Sequence, residues 1–194
     1  MIFNLPNILT ILRLLAAPGV AVMFLYFDRP WADIYALVLF VSAALTDFLD
    51  GYLARVWKQE SKFGAMLDPI ADKVMVVIAL FVITGYSGMN PWIILPAVMI
   101  LFREVFVSGL REFLGADSSK LAVTNLAKWK TTLQMVAIAV LFAGMGIERM
   151  DWWDTLALFV FWFGVGLLWV AGVLTLITGW DYFAKALPYL KAPE

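Results

Sequence analysis

The chain has no cysteine and no histidine among its 194 residues. The first absence excludes disulfide bridges and thiolate metal sites. The second removes the commonest neutral metal ligand and general base, so acid-base chemistry falls to carboxylates. Charge is scarce as well: only 15% of the residues are Asp, Glu, Lys or Arg, and their near balance leaves a net charge of −1. With no soluble basic surface, nucleic acid is not an expected partner. Low-complexity linkers, a soluble domain and internal repeats are also missing, so one domain over residues 1–194 is the expected organisation.

What the chain does have is apolar. Hydrophobic residues make up 63% of it, and its mean hydropathy of +0.89 lies outside the range of soluble domains. Several apolar runs reach roughly 20 residues, the length needed to cross a hydrocarbon core of about 30 Å as a helix. Hydropathy predicts six spans: 8–27, 32–54, 68–86, 92–113, 126–146 and 153–178. The expected fold is all-α, a polytopic integral membrane protein with six transmembrane helices. No Lys or Arg precedes the first run and no cleavage site follows it, so that run is read as retained.

Charge placement gives the expected orientation, because Lys and Arg gather at cytoplasmic ends. With the amino terminus inside, twelve of the 14 basic residues fall on the cytoplasmic side and only Arg29 and Arg149 on the other. Both termini are then cytoplasmic. Trp31, Trp92, Trp152 and Trp153 stand near span ends, as interfacial anchors do.

Inside this apolar background stands the block D-x2-D-G-x2-A-R-x8-G-x3-D-x3-D, running from Asp47 to Asp72. Carboxylates at membrane depth are unfavourable and mark functional sites. Asp47 and Asp50 are spaced i, i+3 at the end of the second span, and Asp68 and Asp72 i, i+4 at the start of the third. Each pair shares one helix face. If the two faces meet, four carboxylates form a hard oxygen-donor site suited to Mg²⁺ or Mn²⁺, with room for two ions. Gly51 and Gly64 would let a phosphate approach the backbone, and Arg55 is a bidentate phosphate partner. Other readings stay open: a glycine also serves helix packing, and Arg55 also serves as a positive-inside anchor.

This block resembles the signature of the CDP-alcohol phosphotransferase family and matches it at every defining position. The resemblance implies six helices around a two-metal centre of Asp47, Asp50, Asp68 and Asp72. It also implies that Gly51 and Arg55 contact the CDP moiety and that Asp72 is the general base. The segment N-L-P-N-I-L-T-I-L-R (residues 4–13) and the stretch R-E-x5-L-R-E (residues 103–112) are similar to a bacterial branch of that family. That likeness implies a cytidine and phosphate site near Asn7, Thr10 and Arg13, which share a helix face at i, i+3 and i+6. Asn7 as a helix cap and Thr10 bonded to its own backbone are the plainer alternatives.

The remaining cations bear on the acceptor. Arg103 and Arg111 in the fourth span, with Lys128 and Lys130 opening the fifth, could surround an anion; Arg103, Arg111 and Lys128 are the expected acceptor phosphate ligands. Arg111, Lys128 and Lys130 are equally readable as positive-inside residues, and Glu104 and Glu112 as partners of the arginines. The expected reaction moves a phosphatidyl group from CDP-diacylglycerol to sn-glycerol 3-phosphate, giving phosphatidylglycerophosphate and CMP. Related alternatives keep the chemistry with phosphatidylglycerol, serine or an inositol phosphate as acceptor; a divalent-cation transporter is the alternative from another class. The resemblance further implies a bacterial inner membrane, an active site facing the cytosol and a homodimer. Small residues such as Gly144, Gly164 and Gly166 are candidates for the pairing face.

Overall fold

The computed structural model describes residues 4–56, 61–115, 125–150 and 154–190, nearly all of them helical. The helices are α1 (Leu5–Tyr26), α2 (Trp31–Val56), α3 (Lys62–Tyr86), α4 (Pro91–Leu114), α5 (Asn125–Glu148) and α6 (Asp154–Leu190). Local chemistry sets several of their ends. Asn4 caps α1 by accepting from the Asn7 amide at 3.1 Å, with Pro6 in the first turn where its missing N–H is harmless. Ser61 caps α3 through Gly64 N at 3.0 Å, and Asn90 caps α4 through Trp92 N at 3.0 Å. Gly115 closes α4 at φ +53°, a conformation that L side chains rarely adopt.

Two of the ends depart from the hydropathy reading, which placed the third span at 68 and closed the sixth at 178. The Ser61 cap starts α3 at Lys62, and α6 continues to Leu190. At 1.5 Å per residue a 37-residue helix is about 55 Å long, well beyond a bilayer core. The extension is held by Tyr182 and Ala186, which pack on Val107 of α4. Among the described residues, four helices are long and apolar enough to cross a membrane by length and composition: α1, α4, residues 129–148 of α5, and α6. The acid-bearing α2 and α3 are not among the four.

Successive helices alternate in direction, and α3 lies where α1, α4 and α5 meet. A shared core runs through them, from Ala17, Val20 and Phe24 of α1 through Met75, Leu80 and Ile83 of α3 to Ile138, Leu141 and Phe142 of α5 and Leu168 of α6. Glycines let helices approach closely. A Cβ on Gly144 would lie 2.9 Å from Phe161 Cα, and one on Gly164 3.0 Å from Leu141 Cγ. Both glycines therefore join α5 to α6 within one chain, which corrects their assignment to a pairing face. Gly166 has open space beside it.

The alternation gathers the polar residues. The start of α1, the end of α2, the start of α3, the end of α4 and the start of α5 all share one end of the bundle. The other end holds Arg29, which pairs with the fully buried Asp33 at 2.7 Å, and Trp92, whose carbonyl accepts from Trp169 Nε1 at 2.9 Å.

Candidate active site

Asn7, Thr10 and Arg13 lie on the inward face of α1 and are 2%, 2% and 1% exposed. Asn7 does not cap its helix, since Asn4 does; its Oδ1 accepts from Ser61 Oγ at 2.9 Å. A Cβ on Gly64 would come within 2.7 Å of that same Oδ1, so the glycine lets α1 reach the first turn of α3. Thr10 Oγ1 is 2.7 Å from Asp68 Oδ1 and 3.1 Å from Pro6 O, so its hydroxyl bonds its own backbone and also reaches one of the four aspartates. Arg13 Nη1 lies 2.5 Å from Asp47 Oδ1 and 3.1 Å from Asp72 Oδ1. One guanidinium thus ties the first three helices together through the acids expected to hold metal.

Asp47, Asp68 and Asp72 are close enough for their charges to act on one another. Asp50, Gly51 and Arg55 fall in α2, but their side chains lie outside the described residues. Among the described residues no three carboxylates form a ready metal cluster. The donor set nonetheless fits a hard divalent cation: acceptor-only oxygens from two helices face a shared position, and a positive group already lies between two of them.

Beside Asp72 opens a cavity of about 240 Å³. Pro69, Asp72, Lys73 and Val76 of α3 line it with Arg103, Glu104 and Arg111 of α4, and α5 adds Lys130, Thr131, Gln134 and Met135. Glu104 Oε1 accepts from Arg103 Nη1 at 3.0 Å and from Lys130 Nζ at 2.5 Å. Lys73 Nζ donates to Ser108 Oγ. Arg111 stacks over the Tyr182 ring at 5.2 Å. Four cationic side chains face two anionic ones, an excess of two positive charges. Arg103 Nε is buried without a hydrogen-bond partner on the side of Gly179 of α6. Such a wall favours a guest that is anionic and accepts hydrogen bonds.

A second, apolar groove of about 440 Å³ runs between α1 and α2 from Arg13 and Thr46 along Leu12, Leu15, Ala16 and Leu39. Arg13 and the aspartates lie between this groove and the charged cavity, so an apolar and an anionic reactant can meet at one set of carboxylates.

The family model for CDP-alcohol phosphatidyltransferase matches residues 3–177. The chain belongs to this family. Among similar CDP-alcohol phosphatidyltransferases, a protein of Cereibacter sphaeroides is 64% identical, with 97% of this chain and 98% of that protein covered. One from Rickettsia bellii is 41% identical over 96% and 97% of the two chains, and one from Escherichia coli K12 is 39% identical over 95% of each. Each of the three is named CDP-diacylglycerol–glycerol-3-phosphate 3-phosphatidyltransferase.

Of the acceptor residues read from the sequence, Arg103 and Arg111 line the cavity beside Asp72 and Glu104 is an arginine partner. The lysine that α5 contributes is Lys130; the side chain of Lys128 lies outside the described residues. Lys73 and Gln134 join the site without a mark in the sequence pattern. Lys73 reads as one more positive-inside residue beside Asp72, and Gln134 has only its place one turn from Lys130.

Proposed function

We infer that this chain is a phosphatidyltransferase of phospholipid biosynthesis. It transfers the phosphatidyl group of CDP-diacylglycerol to sn-glycerol 3-phosphate and releases CMP and phosphatidylglycerophosphate. The observation that carries the choice of acceptor is the cavity beside Asp72 with its excess of two positive charges. A phosphate monoester carries about −1.5 to −2 at neutral pH and matches that excess, whereas a zwitterionic or neutral acceptor leaves it uncompensated.

In this reading Lys73, Arg103, Arg111 and Lys130 hold the acceptor phosphate, with Lys128 joining them from the first turn of α5. The acceptor hydroxyl is thereby aimed at Asp72. Its oxygen attacks the phosphorus of the phosphatidyl group, a new P–O bond forms as the P–O bond to CMP breaks, and the hydroxyl proton passes to the Asp72 carboxylate. Asp47, Asp50, Asp68 and Asp72 would hold two Mg²⁺ or Mn²⁺ ions, which supply neutralisation of the pyrophosphate and of the leaving CMP. Asn7, Thr10, Arg13, Gly51, Arg55 and Gly64 form the CDP side of the site. The groove that begins at Arg13 suits an acyl chain of the lipid substrate.

All six helices cross a bacterial inner membrane as one domain of 194 residues, with both termini and the site on the cytosolic side. A homodimer is part of the proposal, and crosslinking in the membrane checks it. The activity itself is tested with purified protein in detergent, CDP-diacylglycerol and Mg²⁺ or Mn²⁺, following CMP release with sn-glycerol 3-phosphate, serine, inositol phosphate or phosphatidylglycerol. Release with glycerol 3-phosphate alone, lost in Asp72→Asn, is the expected result. Release with serine or phosphatidylglycerol instead refutes the phosphate pocket, release with inositol phosphate instead refutes the choice of glycerol 3-phosphate, and none with any acceptor refutes the reaction.

A further inference from the structure

Gln134 belongs to the cavity wall, yet none of the steps above uses it. It lies one helical turn from Lys130, is 2% exposed, and its Oε1 is buried without a hydrogen-bond partner. A buried amide oxygen of this kind is unfavourable unless a donor reaches it. The wall itself offers little to satisfy it. Lys130 Nζ is directed to Glu104, Arg103 Nη1 to the same carboxylate, and Lys73 Nζ to Ser108.

The chemistry of the acceptor supplies the donor. A phosphate monoester group held among cations is dianionic and only accepts, so it makes no use of an amide oxygen. Glycerol 3-phosphate has two hydroxyls besides its phosphate. The one at C1 attacks and gives its proton towards Asp72; the one at C2 needs an acceptor of its own. Gln134 Oε1, an unpaired acceptor in a wall of cations, complements a molecule that joins a phosphate to a free hydroxyl.

We propose that Gln134 Oε1 accepts a hydrogen bond from the C2 hydroxyl of the acceptor, which makes Gln134 the residue that selects a vicinal hydroxy-phosphate over a simple alkyl phosphate. This inference rests on the activity proposed above. A site built to bond a hydroxyl discriminates strongly against the analogue without it, because the buried partner is then left unpaired.

The test compares sn-glycerol 3-phosphate with propane-1,3-diol monophosphate, which keeps the attacking hydroxyl and the phosphate and lacks the C2 hydroxyl. CMP release by the full-length protein with Mg²⁺ gives kcat/KM for each. The wild type is expected to favour glycerol 3-phosphate by about ten- to a hundredfold. Gln134→Met, of similar volume, is expected to bring that ratio to about one, the loss falling on glycerol 3-phosphate. A ratio near one in the wild type, or a ratio unchanged in Gln134→Met, overturns the proposal. Should Gln134→Met turn over neither acceptor, Gln134→Asn takes its place: its amide is too short to reach the same point, and the ratio must again fall. Failure of the underlying activity looks different, with no CMP released by the wild type from either acceptor, and it removes the inference with it.

Discussion

Arg13 is 1% exposed, while each of its two carboxylate partners keeps 39% of its side chain accessible. A buried guanidinium between two half-buried acids holds three helices in register and offsets the repulsion of the acids. Removing one member of a buried charge cluster costs about 3–5 kcal/mol, and the exposure of the acids puts this case near the lower figure. Arg13→Ala should therefore lower the melting temperature in detergent clearly when EDTA is present. Mg²⁺ should recover much of the loss, because a cation bound among Asp47, Asp68 and Asp72 replaces the missing positive charge and stabilises the folded state by binding to it. Equal losses in EDTA and Mg²⁺ would sink the idea that these acids share a cation site. The aspartates were legible in the sequence because acids in an apolar run have few structural uses. Arg13 was legible as an unusual charge, but not as their partner: the contact spans 34 and 59 residues, and single-chain spacing reports only neighbours one turn apart.

Among the helices, hydropathy located all six and misplaced two ends, for reasons that lie in different forces. The Ser61 cap begins α3 before its apolar run, and α6 outlasts its own run because an i, i+4 pair of Asp181 and Lys185 and the packing of Tyr182 and Ala186 carry it on. The glycines were harder to read, since a small residue in an apolar run says that something approaches without saying what. Gly144 meets the backbone of Phe161, which cannot swing aside as a side chain does. Gly144→Val should then force α5 and α6 apart at a cost of about 1–3 kcal/mol, as overpacking does. Gly166→Ala, with open space beside it, should be neutral in the same monomer. Thermal unfolding of the two variants checks the pair, and similar destabilisation by both would contradict the α5–α6 contact.

Across the bundle the reactive groups form one layer. Thr10, Arg13, Asp47, Asp68, Asp72, Arg103, Glu104, Lys130 and Gln134 come from five helices, and the alternating helix directions bring them to the same end. Polar reactants such as CMP and a phosphorylated alcohol must then enter and leave at that face, while the lipid stays in the bilayer. The charge bias of the sequence predicts that this layer faces the cytosol, and the chain is well suited to a direct check because it has no cysteine of its own. Single cysteines can be placed at Met89, 61% exposed in the α3–α4 turn at the opposite end, and at Lys62, exposed at the start of α3 beside the reactive layer. In intact bacterial cells with a permeabilised outer membrane, a membrane-impermeant maleimide should label Met89→Cys and leave Lys62→Cys untouched. Breaking the inner membrane should then expose the second site. The reverse pattern would turn the protein over and put the cationic cavity on the side where cytosolic glycerol 3-phosphate cannot reach it. Labelling of both in intact cells would mean that α3 does not span the bilayer, against the span expected at 68–86.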